Sequence, residues 1–307
     1  MTARAAHVRR IPERLSPERN NFPLPAKSPR AGMLPVKGMV LKRLFQRGKL
    51  MDGEEPMVAG HAPRLPQGVR VYAIGDLHGC LDLLRKLEAA IEEDIEASGA
   101  HLDHFVVYLG DYVDRGWQSR DVVAHLAGPR HDGVHRVHLL GNHDAWLRDY
   151  LRGDQVGGGW LRYGGDATLM SYGVRLAAGS DDDVRLEATR EMLAAAVPSE
   201  HVDFLDRLEI AFSFGDYFFC HAGIRPNVPL AAQTTEDLIW IREPFLDWRG
   251  DAGKIVVHGH TIEDRPVVRR NRIGVDTGAY TTGVLTCVVL EDQQRRFLSA
   301  SDDDQPA

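Results

Sequence analysis

The chain has 307 residues, 43% hydrophobic and 26% charged, enough for one large domain or two modest ones and ordinary for a soluble globular protein. No apolar run approaches the ~20 residues that cross a bilayer, and the Arg- and Pro-rich start lacks the apolar core of a secretory signal. Net charge is −7 but uneven: residues 1–50 hold twelve Lys or Arg against Glu13 and Glu18, a local balance of +10, so the remainder carries −17, a poor surface for nucleic acid.

Residues 1–67 mix Pro, Arg, Gly and Ser with few periodic apolar positions, which predicts a disordered basic arm. Within it, residues 39–45 spell a short basic amphipathic turn. That leaves two readings, a solvated tail or a segment that docks to an anionic partner or membrane surface. Met33, Met39 and Met51 are alternative start positions. From Val69 the texture changes. Apolar, β-branched text predicts a strand over 69–74, and Leu83, Leu84, Leu87, Ile91 and Ile95 fall at helical spacing over 81–96. A strand at 105–109, a helix at 119–126, a strand at 134–140 and a helix at 143–151 follow. Such alternation builds βαβ units and parallel strands.

Residues 153–200 break the rhythm with Gly157-Gly158-Gly159-Trp160 and then helical text over 183–205, the pattern of a cap or insertion. Trp160 and Arg162 are placed there to reach the substrate groove. After Glu209, strands at 210–214, 217–221, 254–258, 266–270, 272–276 and 284–290 predict a second, mostly antiparallel sheet. Residues 299–307 read as an acidic tail, so the predicted catalytic domain spans 68–298. Cys80, Cys220 and Cys287 give no disulfide framework and fit a reducing, cytoplasmic setting.

Five short strings fall at strand ends: Gly75-Asp76-Leu77-His78-Gly79, Gly110-Asp111-Tyr112-Val113-Asp114-Arg115-Gly116, Gly141-Asn142-His143-Asp144, His221-Ala222-Gly223 and His258-Gly259-His260-Thr261. Any one has a bland reading. Asp76 suits a helix N-cap, Asn142 suits a turn, and His221 suits a half-buried histidine. Together they mean more, because carboxyl ends of adjacent parallel strands converge on one sheet edge where ligands bind. About thirty residues separate Asp76 from Asp111 and Asp111 from Asn142, room for one helix and a returning strand. Oxygen and imidazole donors favour Mn, Fe or Zn over soft thiolate metals. Two such ions ~3.5–4 Å apart can share a carboxylate, clamp an in-line displacement and make a hydroxide of the water between them.

The set resembles the calcineurin-like metallophosphoesterase superfamily, whose pattern is GDxHG, GDxxDRG, GNHE/D, a later His and GH; the likeness runs from about Val69 to Val289. The resemblance implies a four-layer α/β/β/α sandwich of class α+β, two mixed sheets flanked by helices, with a dinuclear metal site at the carboxyl edge. It implies two divalent ions, Mn²⁺ first and Fe or Zn otherwise. Asp76 and His78 bind the first, Asp111 bridges, and Asn142, His221 and His260 complete the second. His143 is the general acid, oriented by Asp114. Arg115 matches the DRG arginine, and Arg242 resembles a second phosphate-binding arginine, with a salt bridge to Glu243 or Asp237 as its alternative. His258 reads as a strand-end residue, and Asp276 as a turn former or a support for the site.

The GDxVDRG string matches the serine/threonine protein phosphatase branch and points to phosphate monoesters in proteins or small molecules. Asp144, where that branch usually has Glu, matches the symmetrical dinucleoside tetraphosphatase branch instead. A fold retained only for binding would show missing ligands, and a nucleic-acid phosphodiesterase would need a basic groove.

Overall fold

Short apolar strands buried on both faces dictate how this chain layers. In the computed structural model, which describes residues 62–98, 102–129 and 133–303, the described strands form two five-stranded sheets. The first contains β1 (Val69–Ile74), β2 (Asp103–Tyr108), β3 (His135–His138), β9 (Val284–Glu291) and β10 (Gln294–Ser301), ordered β10-β9-β1-β2-β3. The second contains β4 (Ala211–Phe214), β5 (Tyr217–Cys220), β6 (Ile255–His258), β7 (Val267–Val268) and β8 (Arg272–Gly274), ordered β4-β5-β6-β8-β7. Residues 1–61, with the predicted arm and its docking segment, lie outside the described residues.

Both sheets are mixed. β1, β2 and β3 run parallel, while β9 lies antiparallel between β1 and β10. In the second sheet β5, β6 and β8 run parallel, with β4 and β7 antiparallel at the edges. The expectation of a mostly antiparallel second sheet is thereby corrected. The strand from Val284 joins the first sheet, and the long connection after β5 permits a parallel return that a hairpin would not.

Val71 and Ala73 of β1, Val107 of β2 and Val288 of β9 face Phe219 and Val257 across the gap between the sheets, all buried. Their neighbours Tyr72, Ile74 and Val106 point the other way, onto Leu84, Leu87 and Ile91 of α1 (Leu81–Ser98). Burial of both faces explains why 71–74 reads as a continuous apolar run. With α2 (Ser119–Ala127) and α3 (Asn142–Leu151), the architecture is the expected α+β sandwich of two mixed sheets flanked by helices. Each helix starts just after a strand's carboxyl end, so three loops are delivered to one edge.

The segment after α3 is helical from its start: α4 (Gly157–Trp160), a π-helical turn (Leu161–Gly165), α5 (Asp166–Ser171), α6 (Asp182–Ala196) and α7 (Ser199–Arg207). The helical text over 183–205 forms two helices, α6 and α7. Pro198, whose ring cannot continue α6, stands at the N-cap of α7. These helices pack on α2 and α3.

β10 escaped the sequence reading because its first four residues, Gln294 to Phe297, are exposed and mostly polar. Its ladder with β9 runs to Ser301, past the boundary expected at 298. At the other end Leu65 is buried, and its N–H donates to the Asp292 carbonyl at 2.9 Å, so packing begins before residue 68. No helix among the described residues is long and apolar enough to cross a membrane.

Candidate metal centre and acid pair

The loops after β1, β2 and β3 interlock through their backbones. The N–H groups of Leu77 and His78 donate to the Asp111 carbonyl at 3.1 and 2.8 Å, and the His143 N–H donates to Asp111 Oδ1 at 2.9 Å. Gly141 is needed for this approach, since a Cβ there would lie 2.2 Å from the Asp111 nitrogen. The second sheet docks onto the same point. The N–H of His260 faces both Asp76 oxygens at 3.0 Å, and that of Gly259 donates to the His221 carbonyl at 2.8 Å.

His78, Asp111, Asp114, Arg115 and His260 all have φ between 41° and 74°. Left-handed backbone at residues other than glycine costs about 1–3 kcal/mol each and persists only where surroundings enforce it. Five such residues converging on one edge mark the place where the fold gives up stability.

Asp111 stands between two groups of donors. On one side His78 Nε2 lies 3.4 Å from Asp111 Oδ2, and on the other His221 Nε2 lies 3.4 Å from the same oxygen. His221 Nε2 is also 3.0 Å from Asn142 Oδ1 and 3.2 Å from His260 Nδ1. Hydrogen bonds fix the tautomers: His78 Nδ1 meets the Val113 carbonyl at 2.8 Å and His221 Nδ1 meets the Leu109 carbonyl at 3.0 Å. Both Nε2 lone pairs therefore point inward.

A cluster of lone pairs at this spacing, sealed from water, calls for a positive charge. Among the described residues, His78 Nε2 and His260 Nε2 are buried without a hydrogen-bond partner. Burial opposes protonation of His221, yet Asp111 and Asp76 overcome it and hold that imidazole up to about 9; a proton there stands where a cation belongs. His78, Asp111 and His143 form one group able to hold a metal, and Asp111, His221 and His260 form another. The residues present thus fit two ions sharing Asp111. Asp76 is buried beside these groups without belonging to either, its carboxylate turned to the His260 N–H, with Oδ1 4.0 Å from His221 Nδ1.

His143 reaches the centre from the N-terminus of α3. Its Nδ1 is 2.6 Å from Asp114 Oδ2, with both side chains buried. Its Nε2 accepts from Arg115 Nη2 at 3.1 Å, and the Arg115 guanidinium lies 4.8 Å over the Tyr280 ring. Burial first, then the nearby Arg115 charge, push the His143 imidazole down to about 3 despite Asp111. It is neutral at rest, with its proton on Nδ1. Arg242 is half-buried, donates to Thr261 Oγ1 at 3.2 Å, and feels the charges of Asp76, Asp276 and Asp111. Asp237 is engaged by Arg225 at 3.0 Å, which removes one alternative partner of Arg242.

The sequence model of calcineurin-like phosphoesterases matches residues 69–275. The chain belongs to that family. Calcineurin-like phosphoesterases use a dinuclear divalent metal site, and the donor groups above are the candidates to hold one here. The chain is 27% identical over 231 residues to the asymmetrical bis(5'-nucleosyl)-tetraphosphatase PrpE of Bacillus velezensis, covering 69% of this chain and 86% of that protein. It is 25% identical over 224 residues to serine/threonine-protein phosphatase 2 of Salmonella typhimurium, covering 70% and 90%. Among solved structures, a putative diadenosine tetraphosphatase superposes with a TM-score of 0.53 at 21% identity, covering 79% of this chain and all of that one, a likeness of fold.

In this calcineurin-like phosphoesterase, Asp144 is a clamp. Fully buried, it accepts the N–H groups of Asp111 (2.7 Å), Tyr112 (2.9 Å) and Gly141 (2.9 Å), binding the β2 loop to the start of α3. A side chain so occupied does not face substrate, which weakens it as a clue to the branch. His258 turns away from the centre toward Arg272 Nη1 at 3.2 Å, and Asp276 Oδ1 accepts the Gly278 N–H, shaping the turn. Burial pushes the Cys80 thiol up to about 12 and the Cys220 thiol higher still, as packing residues require. Trp160 is fully buried against Asp114 rather than in the groove; Arg162 is exposed. Sequence reasoning missed Thr168, Tyr280 and Ser119, whose Oγ accepts the Asp114 N–H at 3.0 Å. The Gly164-Gly165 pair was the one available signal for the first, and nothing in the text marks Tyr280.

Proposed function

We propose that this metallophosphoesterase hydrolyses phosphate monoesters, foremost phosphoserine and phosphothreonine in proteins. The observation that carries the proposal is the buried Asp114–His143 pair with Arg115 resting on His143 Nε2. Serine and threonine alkoxides are poor leaving groups, so their release needs a positioned acid, whereas a phosphoanhydride depends on one far less.

In this reading His78 and Asp76 hold one ion, Asn142, His221 and His260 the other, and Asp111 both. Two divalent ions, Mn²⁺ first and Fe or Zn otherwise, supply Lewis acidity and a water that ionises near neutral pH. Arg115 and Arg242 each bind phosphate oxygens through paired N–H groups. When Arg115 turns from His143 to the phosphate, Nε2 becomes free to carry a proton. As a water oxygen bonds to phosphorus and the P–O bond to the seryl oxygen breaks, His143 would give the leaving oxygen a proton taken up from solvent at Nε2, and Asp114 would stabilise the imidazolium while it lasts.

A second reading, hydrolysis of dinucleoside tetraphosphates or other small phosphoesters, is supported by the names of several relatives. One is the symmetrical bis(5'-nucleosyl)-tetraphosphatase of Janthinobacterium, 31% identical over 167 residues and covering 53% of this chain and 46% of that protein. The deciding experiment uses metal-stripped protein reloaded with Mn²⁺. Phosphate release from a phosphoserine peptide is compared with cleavage of diadenosine tetraphosphate, with His143→Asn as the blank. Peptide turnover that collapses in the variant supports the monoesterase; faster dinucleotide cleavage overturns it.

A further inference from the structure

The insertion after α3 touches the acid pair directly. Trp160 ends α4, and its indole Nε1–H donates to Asp114 Oδ2 at 2.8 Å and Oδ1 at 3.0 Å. Thr168, in α5, gives its hydroxyl proton to Asp114 Oδ1 at 2.7 Å and accepts the Asp114 N–H at 2.9 Å. All three side chains are fully buried. Among the described residues this carboxylate has three donors, His143 Nδ1, Trp160 Nε1 and Thr168 Oγ1, and two of the three come from a segment outside the five motif strings.

The backbone of the segment is built for this approach. Between Trp160 and Thr168 the helix is broken by a kink at Tyr163 and Gly164, whose backbone is not helical. The Gly164 carbonyl accepts the Arg115 N–H at 3.1 Å, and a Cβ on Gly164 would sit 2.8 Å from Arg115 Cγ. A Cβ on Gly165 would strike the Trp160 indole at 2.4 Å. The two glycines let one chain segment lie on the Asp114-Arg115 turn and deliver both donors to the same carboxylate.

We propose that Trp160 and Thr168 are positioning residues for the general acid: they fix the Asp114 carboxylate so that Oδ2 meets His143 Nδ1 and the ring presents Nε2 to the leaving oxygen. A carboxylate buried with one donor would have room to rotate and an oxygen left bare. With three donors it has one orientation. This rests on the reading of His143 as the acid.

The test separates the two ideas by leaving group. Mn²⁺-loaded full-length Thr168→Val and Trp160→Phe are assayed on phosphoserine peptide and on 4-nitrophenyl phosphate, whose leaving group needs little help from an acid. Loss of a supporting partner of this kind costs ~10–100-fold, so peptide kcat falls by at least about tenfold. Aryl phosphate kcat changes less than about threefold, and Thr168→Ser restores the peptide rate. In the metal-free protein, the His143 Nδ1–H resonance in ¹⁵N-histidine spectra shifts and exchanges faster in Thr168→Val than in Thr168→Ser. Equal losses on both substrates, or an unmoved His143 resonance, overturn the positioning role. If His143→Asn itself lowers both substrates equally, the acid reading fails instead. Should Thr168→Val not fold, Trp160→Phe decides the question, because Thr168 still satisfies the Asp114 N–H.

Discussion

The two halves of the centre are built differently. The first half, the loops after β1, β2 and β3, is closed by hydrogen bonds among its own members: the Asp111 carbonyl takes the Leu77 and His78 N–H groups, and Asp144 takes three more. In the second half, His221 and His260 lean on the first: His221 Nδ1 on the Leu109 carbonyl, the His260 N–H on Asp76. The first half is therefore a preformed receptacle. The second, joined internally by the Gly259 N–H on the His221 carbonyl, is held to the first across the seam where the donor groups meet.

Removing the metal gives the largest expected effect. Chelation abolishes turnover and Mn²⁺ restores it; amide exchange in the metal-free protein rises more around residues 258–261 than around 76–79. Equal rises in both loops would contradict the comparison. Next comes the clamp. Asp144→Ala strands three buried N–H groups at about 1–3 kcal/mol each, so the melting temperature falls by roughly 10 °C or more. A fall under about 3 °C would show the first half does not depend on its clamp. Gly259→Ala attacks the seam, since a Cβ there would lie 2.1 Å from Asp76 Oδ1. It should weaken Mn²⁺ binding by at least about tenfold while the melting temperature moves by under about 5 °C, measured by calorimetric titration and thermal unfolding. The smallest effect is at the exposed end of the β2 loop, where Trp117, two residues beyond Arg115, is 70% exposed. Trp117→Ala should raise KM for a phosphopeptide about two- to fivefold, an assumed range for loss of one exposed contact, and leave the melting temperature unchanged.

The same division decides what could be read from the sequence. Ligand-type residues of the first half come in contiguous strings, each after an apolar strand, so Asp76, His78, Asp111 and Asn142 were legible together. His221 and His260 are single histidines in polar–glycine text, and only the whole set gave them meaning. Sheet membership of the strand from Val284 was hidden, because an apolar run does not say which partner it pairs with. β10 was hidden because an exposed edge strand carries polar residues. The buried role of Trp160 was misread as groove contact: an aromatic beside glycines looks like a surface loop until the kink at Tyr163 and Gly164 folds it inward. Asp144 shows a different limit: the sequence offered it as a clue to the substrate branch, and its work of holding three backbone N–H groups was not legible there.

The left-handed residues at the centre have a consequence for anyone who edits this chain. Glycine would relax the backbone at Arg115, where φ is 70°, whereas at Asp114, where φ is 74°, it would strand the buried donors of His143, Trp160 and Thr168. A search that ranks variants by thermal stability alone would favour that exchange at Arg115 and remove the guanidinium that rests on His143 while improving its score. Catalytic capacity and melting temperature are set against each other in that one turn, so a library made from this protein should be screened for turnover before it is screened for heat.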